Sequence, residues 1–205
     1  MTQLKLTLVR HGETEGQSSV RYHGRNDVPL SALGRAQMAR ARAALAHERF
    51  DAVYASTLSR SVEAAAIIAG EQVRVTRVAG FDEIDFGEWE GLTAEEIRTR
   101  DPQRYAAWMG TRTDFRYPGG ESVTSFRARV VRALHQVLAQ APAQASSGHL
   151  LFAVHKGIIY SVLIDLLRLD EPQRRALSVP LASIHVVALV NGGWEAVVLD
   201  RTDHL

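Results

Sequence analysis

Two stretches carry residue types that could do chemistry, and they carry them in the same context. Leu6-Thr7-Leu8-Val9 runs straight into Arg10-His11-Gly12, and Leu150-Leu151-Phe152-Ala153-Val154 runs into His155-Lys156-Gly157. An imidazole titrates near neutral pH and can act as nucleophile, base or ligand. A single histidine after an apolar run is most simply a satisfied core residue, but two of them, each followed closely by glycine, are hard to obtain from packing alone. Arg10 ends the first run, and Arg60 follows a third short apolar stretch, 51–56. Two guanidinium forks beside two imidazoles suit an anion with several oxygens, phosphate above all, because each fork donates paired, charge-assisted hydrogen bonds.

These side chains need a scaffold that brings strand ends together. Strands buried on both faces read as continuous apolar runs, and open α/β sheets bind ligands at the carboxyl ends of such strands. The first run predicts a strand, and 13–30 reads as a polar, glycine-dotted loop. Ser31 reads as an N-cap, with Leu33, Met38, Ala41 and Leu45 at helical spacing, so a helix is expected to about Arg49. Strands follow at 51–56 and 73–78 around a helix that ends near Gly70. A long helix should open at Glu121, with Val123, Phe126, Val130, Leu134 and Val137 as its buried stripe and His135 on its surface. Strand 149–154, a helix to about Leu169 and a hairpin joining 183–190 to 194–199 across Asn191-Gly192-Gly193 complete the chain. Alternation of strands and helices predicts an α/β fold, a three-layer α/β/α sandwich with a mostly parallel central sheet. Seven aromatics lie between 81 and 117 (Phe81, Phe86, Trp89, Tyr105, Trp108, Phe115 and Tyr117), so about 81–120 is expected to form a small cap insertion on a single domain, 1–205. Arg112, Arg116 and these aromatics suggest a leaving group that is anionic or bears a ring.

Composition narrows the classes. Of 205 residues 46% are hydrophobic and 23% charged, with a net charge of +1, which argues against nucleic-acid or anionic membrane partners and makes any functional charge local. No cysteine is present, so disulfides, thiolate metal sites and a cysteine nucleophile are excluded. Eight histidines form no His-Glu-x-x-His or similar ligand spacing, so no metal site is expected. The start, Met1-Thr2-Gln3-Leu4-Lys5, lacks the basic segment and long apolar core of a signal peptide, and a cytoplasmic location is expected.

Arg10-His11-Gly12-Glu13-Thr14 resembles the signature of the histidine phosphatase superfamily, the phosphoglycerate mutase-like proteins. Five further blocks fit in order: 24–31, Ser56-Thr57-Leu58-Ser59-Arg60, 83–91, Pro118-Gly119-Gly120-Glu121-Ser122 and Val154-His155. The resemblance implies that His11 is the nucleophile that is transiently phosphorylated, that Arg10, Arg60 and His155 hold the phosphoryl oxygens, and that Glu83 gives a proton to the leaving oxygen and later activates water. It implies a phosphomonoesterase of the histidine acid phosphatase type that needs neither cofactor nor metal and acts on a small phosphorylated metabolite, with a homodimer left open. A bisphosphoglycerate-dependent mutase is the alternative enzyme, and a non-catalytic phospholigand-binding module the alternative from another class. The 81–91 block is similar to the phosphatase branch. Three positions depart from the family pattern: Gln17 stands where an asparagine is usual, His23-Gly24 where mutases place Thr-Gly to meet substrate, and Lys156 where a glycine usually follows the second histidine. Gln17, His23 and Gly24 are expected near the substrate, and the Lys156 ammonium is expected to lean toward a second acidic group on it.

Overall fold

Side chains in both central strands alternate between two apolar layers, which fixes the architecture. In a computed structural model that describes residues 4–70, 73–111, 114–140 and 148–205, β1 (Lys5–Arg10) pairs in parallel with β4 (His149–Val154), from Lys5 opposite His149 to Arg10 opposite Val154. Leu6, Leu8, Leu150, Phe152 and Val154 enter one core, while Val9, Leu151 and Ala153 enter the other. The first core is closed by α5 (Val123–Gln140), through Phe126, Val130 and Leu134, and by α6 (Lys156–Leu167), through Ile158, Ile159 and Val162. The second is closed by α1 (Ala32–Ala44) through Met38 and Ala41, and by α2 (Ser59–Ala69) through Ala64, Ala65 and Ile68. Helices on both faces make three layers.

The sheet has six strands in the order β3-β2-β4-β1-β5-β6, with β2 at Ala52–Ala55, β3 at Val75–Arg77, β5 at Ile184–Val190 and β6 at Gly193–Arg201. The four strands from β3 to β1 run parallel, and β5 and β6 are antiparallel additions at one edge. The β5–β6 hairpin turns on Asn191 and Gly192, both at positive φ (51° and 82°), while Gly193 already pairs with Val190. Left-handed backbone at both central positions is what a tight two-residue hairpin turn requires.

Between β3 and α5 the chain forms two single 3₁₀ turns, Ala79–Phe81 and Gly87–Trp89, and two short helices, α3 (Ala94–Arg100) and α4 (Pro102–Gly110). The aromatics of this stretch divide. Phe81 packs on Phe152 beneath the sheet, and Trp89 stacks on Phe115 at 5.4 Å within a local cluster. Tyr22, from the loop after β1, meets Phe86 at 5.2 Å and Trp108 at 6.0 Å.

Some boundaries move from their sequence positions. Helix α1 stops at Ala44, short of Arg49, because buried Leu45 caps it and the chain must turn before Asp51, whose carboxylate accepts the His149 N–H at 2.7 Å and docks β2 beside β4. Strand β3 keeps only three residues of the 73–78 stretch. A helix not expected from the sequence, α7 (Glu171–Ala176), is fixed by a reciprocal capping box between Asp170 and Gln173. Among the described residues, no helix is long and apolar enough to cross a membrane. Arg112 and residues 142–147, most of a stretch, 142–148, that reads in the sequence as a polar loop of small residues, lie outside the described residues.

Candidate active site

The parallel register puts His11 and His155 one residue beyond a matched pair, at the carboxyl ends of adjacent strands. The His11 N–H continues the ladder onto the Val154 carbonyl at 3.0 Å, and the two imidazoles meet edge to face with centroids 5.1 Å apart. Gly12 then lets the chain cross the first turn of α1: a β-carbon there would stand 2.8 Å from the Gly34 α-carbon, too close for any side chain.

His11 is held in one tautomer. Its Nδ1 lies 2.7 Å from the Gly12 carbonyl oxygen, which can only accept, so Nδ1 carries the hydrogen and Nε2 keeps a bare lone pair. The ring is 4% exposed, and burial first, then the charges of Arg60 and Arg10, hold it well below the ordinary histidine range. It is therefore neutral near pH 7, the state a nitrogen nucleophile needs.

Around it stand buried donors. Arg10 gives one Nη1 hydrogen to the Val179 carbonyl (2.8 Å), and its buried Nε has no protein acceptor. Burial lowers this guanidinium to about 10, with Glu83 and Glu13 opposing, and it remains charged at neutral pH. Arg60, fully buried, gives Nη hydrogens to the carbonyls of Asn26 (2.7 Å), His23 (2.8 Å) and Gly24 (2.7 Å), and its Nε too has no protein acceptor. The fork expected over the ligand thus clasps the 23–26 loop with three of its five N–H groups, and Nε is not among them. His155 Nε2 lies 2.7 Å from the Ser56 hydroxyl, which already accepts the Leu58 N–H at 3.2 Å. The Ser56 hydroxyl can donate to Nε2 or accept from it, and His155 Nδ1 is buried and without a partner. Burial, then Arg60 and His11, hold His155 well below its ordinary value.

Glu83 is 8% exposed and faces the same cleft. Its Oε1 accepts the Ile84 N–H and its Oε2 the Gly157 N–H, both at 2.9 Å. Gly157 is required here, since a β-carbon would collide with Glu83 Oε1 and stand 2.9 Å from Phe126 Cζ.

The other expected residues fall on both sides of the cleft wall. His23 lines it, its Nε2 on the Gly16 carbonyl, and Lys156 lines it from the first turn of α6. Gly24 lies behind, its N–H on Glu90 at 2.9 Å and its carbonyl on Arg60. Gln17 is exposed and outside the lining: its N–H closes a turn onto the Thr14 carbonyl with φ 60°, and Ser18, Ser19 and Val20 line the cleft instead. Arg116 is exposed, bonds the Gly120 carbonyl and does not line it.

The cleft encloses about 940 Å³. Tyr22, Phe86, Trp108 and Tyr117 form one wall, with Trp108 Nε1 donating to the Tyr117 hydroxyl at 3.2 Å. Residues of α5, α6 and α7 also line the cleft: Arg127, Tyr160, Ile164, Arg174 and Arg175. None of these five was singled out from the sequence. The capping pattern Asp170-Glu171-Pro172-Gln173 was the available signal for α7 and its two arginines.

A doubly covered sheet that delivers a bare imidazole nitrogen among buried, unsatisfied N–H donors defines an α/β site for a tetrahedral oxyanion, of the phosphoryl-transfer class. The chain belongs to the histidine phosphatase superfamily (branch 1), whose family model matches residues 6–202. It is 30% identical over 195 residues, 95% of this chain and 90% of the relative, to the adenosylcobalamin/alpha-ribazole phosphatase of Salmonella typhimurium. The structure of a mycobacterial glucosyl-3-phosphoglycerate phosphatase superposes with a TM-score of 0.82 at 26% identity, covering 98% of this chain and 100% of that one. The alpha-ribazole phosphatase of Shigella flexneri shares the fold, with a TM-score of 0.85 at 23% identity and 96% of each chain covered.

Proposed function

We propose that this chain hydrolyses phosphomonoesters by two in-line displacements at His11. The observation that carries this is the His11 tautomer: Nδ1 tied to Gly12, Nε2 bare, with the acceptor-less Arg10 Nε and Arg60 Nε and the unpartnered His155 Nδ1 about it. Nε2 attacks phosphorus and the P–O bond to the leaving group breaks. Glu83, as general acid, gives its proton to the leaving oxygen. A water then attacks the phosphohistidine, Glu83 takes its proton, and inorganic phosphate departs with His11 restored. The three donors meet the phosphoryl oxygens as charge spreads onto them, which is where most catalysis of phosphoryl transfer arises.

This assigns catalytic roles to His11 and Glu83 and phosphate contacts to Arg10, Arg60 and His155. Arg60 also shapes the loop that carries His23 and Gly24, and His23 and Lys156 face the leaving group. Because the protein's own N–H donors supply the positive field, the reaction needs neither metal nor organic cofactor, and full activity in EDTA is expected. Hydrolysis is preferred to mutase chemistry because two of the relatives, at 30% and 26% identity and matched over 90% and 100% of their length, are named as phosphatases. The test is phosphate release from phenyl phosphate. His11→Ala should lower kcat by about 10⁴-fold or more, given the scale on which nucleophiles contribute. Equal turnover by both proteins would refute the proposal.

A further inference from the structure

The cleft continues past the phosphate site along one face of α6. Lys156, Tyr160 and Ile164 are spaced by four residues and all line it, which at 1.5 Å per residue makes a track of about 12 Å. Two arginines overlook that track. Arg127 follows Phe126, whose ring reaches Gly157 at the start of α6, and Arg174 is anchored past the far end of α6 by its Nε bond to the Leu169 carbonyl at 2.8 Å. Among the described residues, neither has a carboxylate within ion-pair distance, whereas Arg175 beside them is paired to Glu171 at 3.0 Å.

Uncompensated guanidiniums lining one cavity repel each other, and a ligand anion relieves the repulsion. Arg127 registers this: half-burial, then the like charge of Arg174, lowers it, with Glu171 alone opposing. Among the described lining residues on α5, α6 and α7 are four cations, Arg127, Lys156, Arg174 and Arg175, and one carboxylate, Glu171. The cleft is also lined by the aromatic cluster of Tyr22, Phe86, Trp108 and Tyr117. A ligand that fits all three features has a phosphate at His11, a ring or apolar middle, and an anionic end.

We infer that Arg127 and Arg174 form a second anion subsite, and that the preferred substrates are elongated phosphomonoesters whose leaving group carries a carboxylate beyond a ring or apolar segment. A planar carboxylate matches a guanidinium fork, and Glu171 among the same lining residues makes a monoanion a better fit than a second phosphate. The inference rests on His11 marking the phosphate end, as proposed above.

The test uses binding as well as turnover, so that the two readings fail separately. Phenylphosphonates bearing a para carboxylate on a linker of none to four methylenes are titrated calorimetrically into the wild-type protein, each beside its carboxamide counterpart. At the best length the carboxylate should bind tenfold or more tightly than the amide. In Arg127→Gln/Arg174→Gln that ratio should fall close to one, and each single variant should fall between. A ratio near one at every length in the wild type overturns the subsite and needs no variant to do so. A ratio that persists in the double variant, or a terminal phosphonate that outbinds the carboxylate at every length, also overturns it. Phosphate release from phenyl phosphate by wild type and His11→Ala reports separately on the nucleophile: selective binding without His11-dependent turnover would support the subsite and sink the phosphatase reading alone.

Discussion

Gly157→Ala should convert the enzyme into one that discriminates sharply between leaving groups. The added β-carbon collides with Glu83 Oε1 and would stand 2.9 Å from Phe126 Cζ, where ordinary carbon–carbon contact needs about 3.5 Å or more. Phe126 is buried in the core under α5, so the carboxyl of Glu83 is the group that moves, by roughly half an ångström or more. A displacement on the scale of 1 Å can cost about 10²-fold in rate, and a positioned general acid is worth about 10²–10⁴-fold in all. For an alkyl phosphate, whose leaving oxygen needs a proton, kcat/KM should fall about 10²-fold. For p-nitrophenyl phosphate, whose leaving group departs as the anion, it should fall less than about fivefold. Overpacking should also cost about 1–3 kcal/mol of stability, visible as a lower Tm. The assay is steady-state phosphate release with both esters, with Glu83→Gln measured alongside. Equal losses on the two esters, or none on the alkyl ester, would refute the argument that Gly157 is small in order to seat Glu83 as the acid.

Ser56→Ala removes the hydroxyl bonded to His155 Nε2 and leaves the Leu58 N–H unsatisfied, so kcat should drop about tenfold with a stability loss of about 1–3 kcal/mol; Ser56→Thr, which keeps the hydroxyl, should restore most of the kcat. Arg60→Lys cannot bridge the carbonyls of His23, Gly24 and Asn26 at once, and should lower kcat/KM about 10²-fold or more together with Tm. His185, fully buried, donates from Nε2 to Ser183 and accepts the Asp200 N–H at Nδ1, and burial lowers it to about 4. The unfolded chain binds this proton near pH 6.5 while the folded chain refuses it until about 4, so its contribution is fully present above pH 6.5. Stability should fall as pH drops through that window, by up to about 3 kcal/mol, and His185→Gln should flatten this part of the urea-midpoint profile.

The centre of the site was legible because chain geometry forces it. Apolar runs that each end in histidine and glycine become parallel neighbours, and a shared register then leaves the imidazoles little choice but to meet. Gly157 was visible as a letter, but its reason, the carboxylate of Glu83 arriving from 74 residues away, belongs to tertiary structure. Arg60 was legible as a cation near the ligand and not as the buried clasp of the 23–26 loop, because a guanidinium's choice between carbonyls and a phosphate depends on what packs behind it. Gln17 read as a ligand contact by position, yet a single left-handed residue in a tight turn put Ser18 and Ser19 in its place. The outer wall was least legible. Arg127 sits beside the apolar stripe of α5, where helical periodicity reads any arginine as solvated, and six-residue α7 is too short to show a period at all.

The central claim is that His11 attacks through Nε2. Quenching into alkaline detergent during turnover of a ³²P-labelled phosphomonoester should trap about one acid-labile, alkali-stable label per chain at high substrate if dephosphorylation limits turnover. Peptide mapping and phosphorus NMR should place that label on Nε2 of His11, and His11→Ala should carry none. Label on His155, label on Nδ1 of His11, or turnover in the presteady state with no trapped label at all would contradict the account.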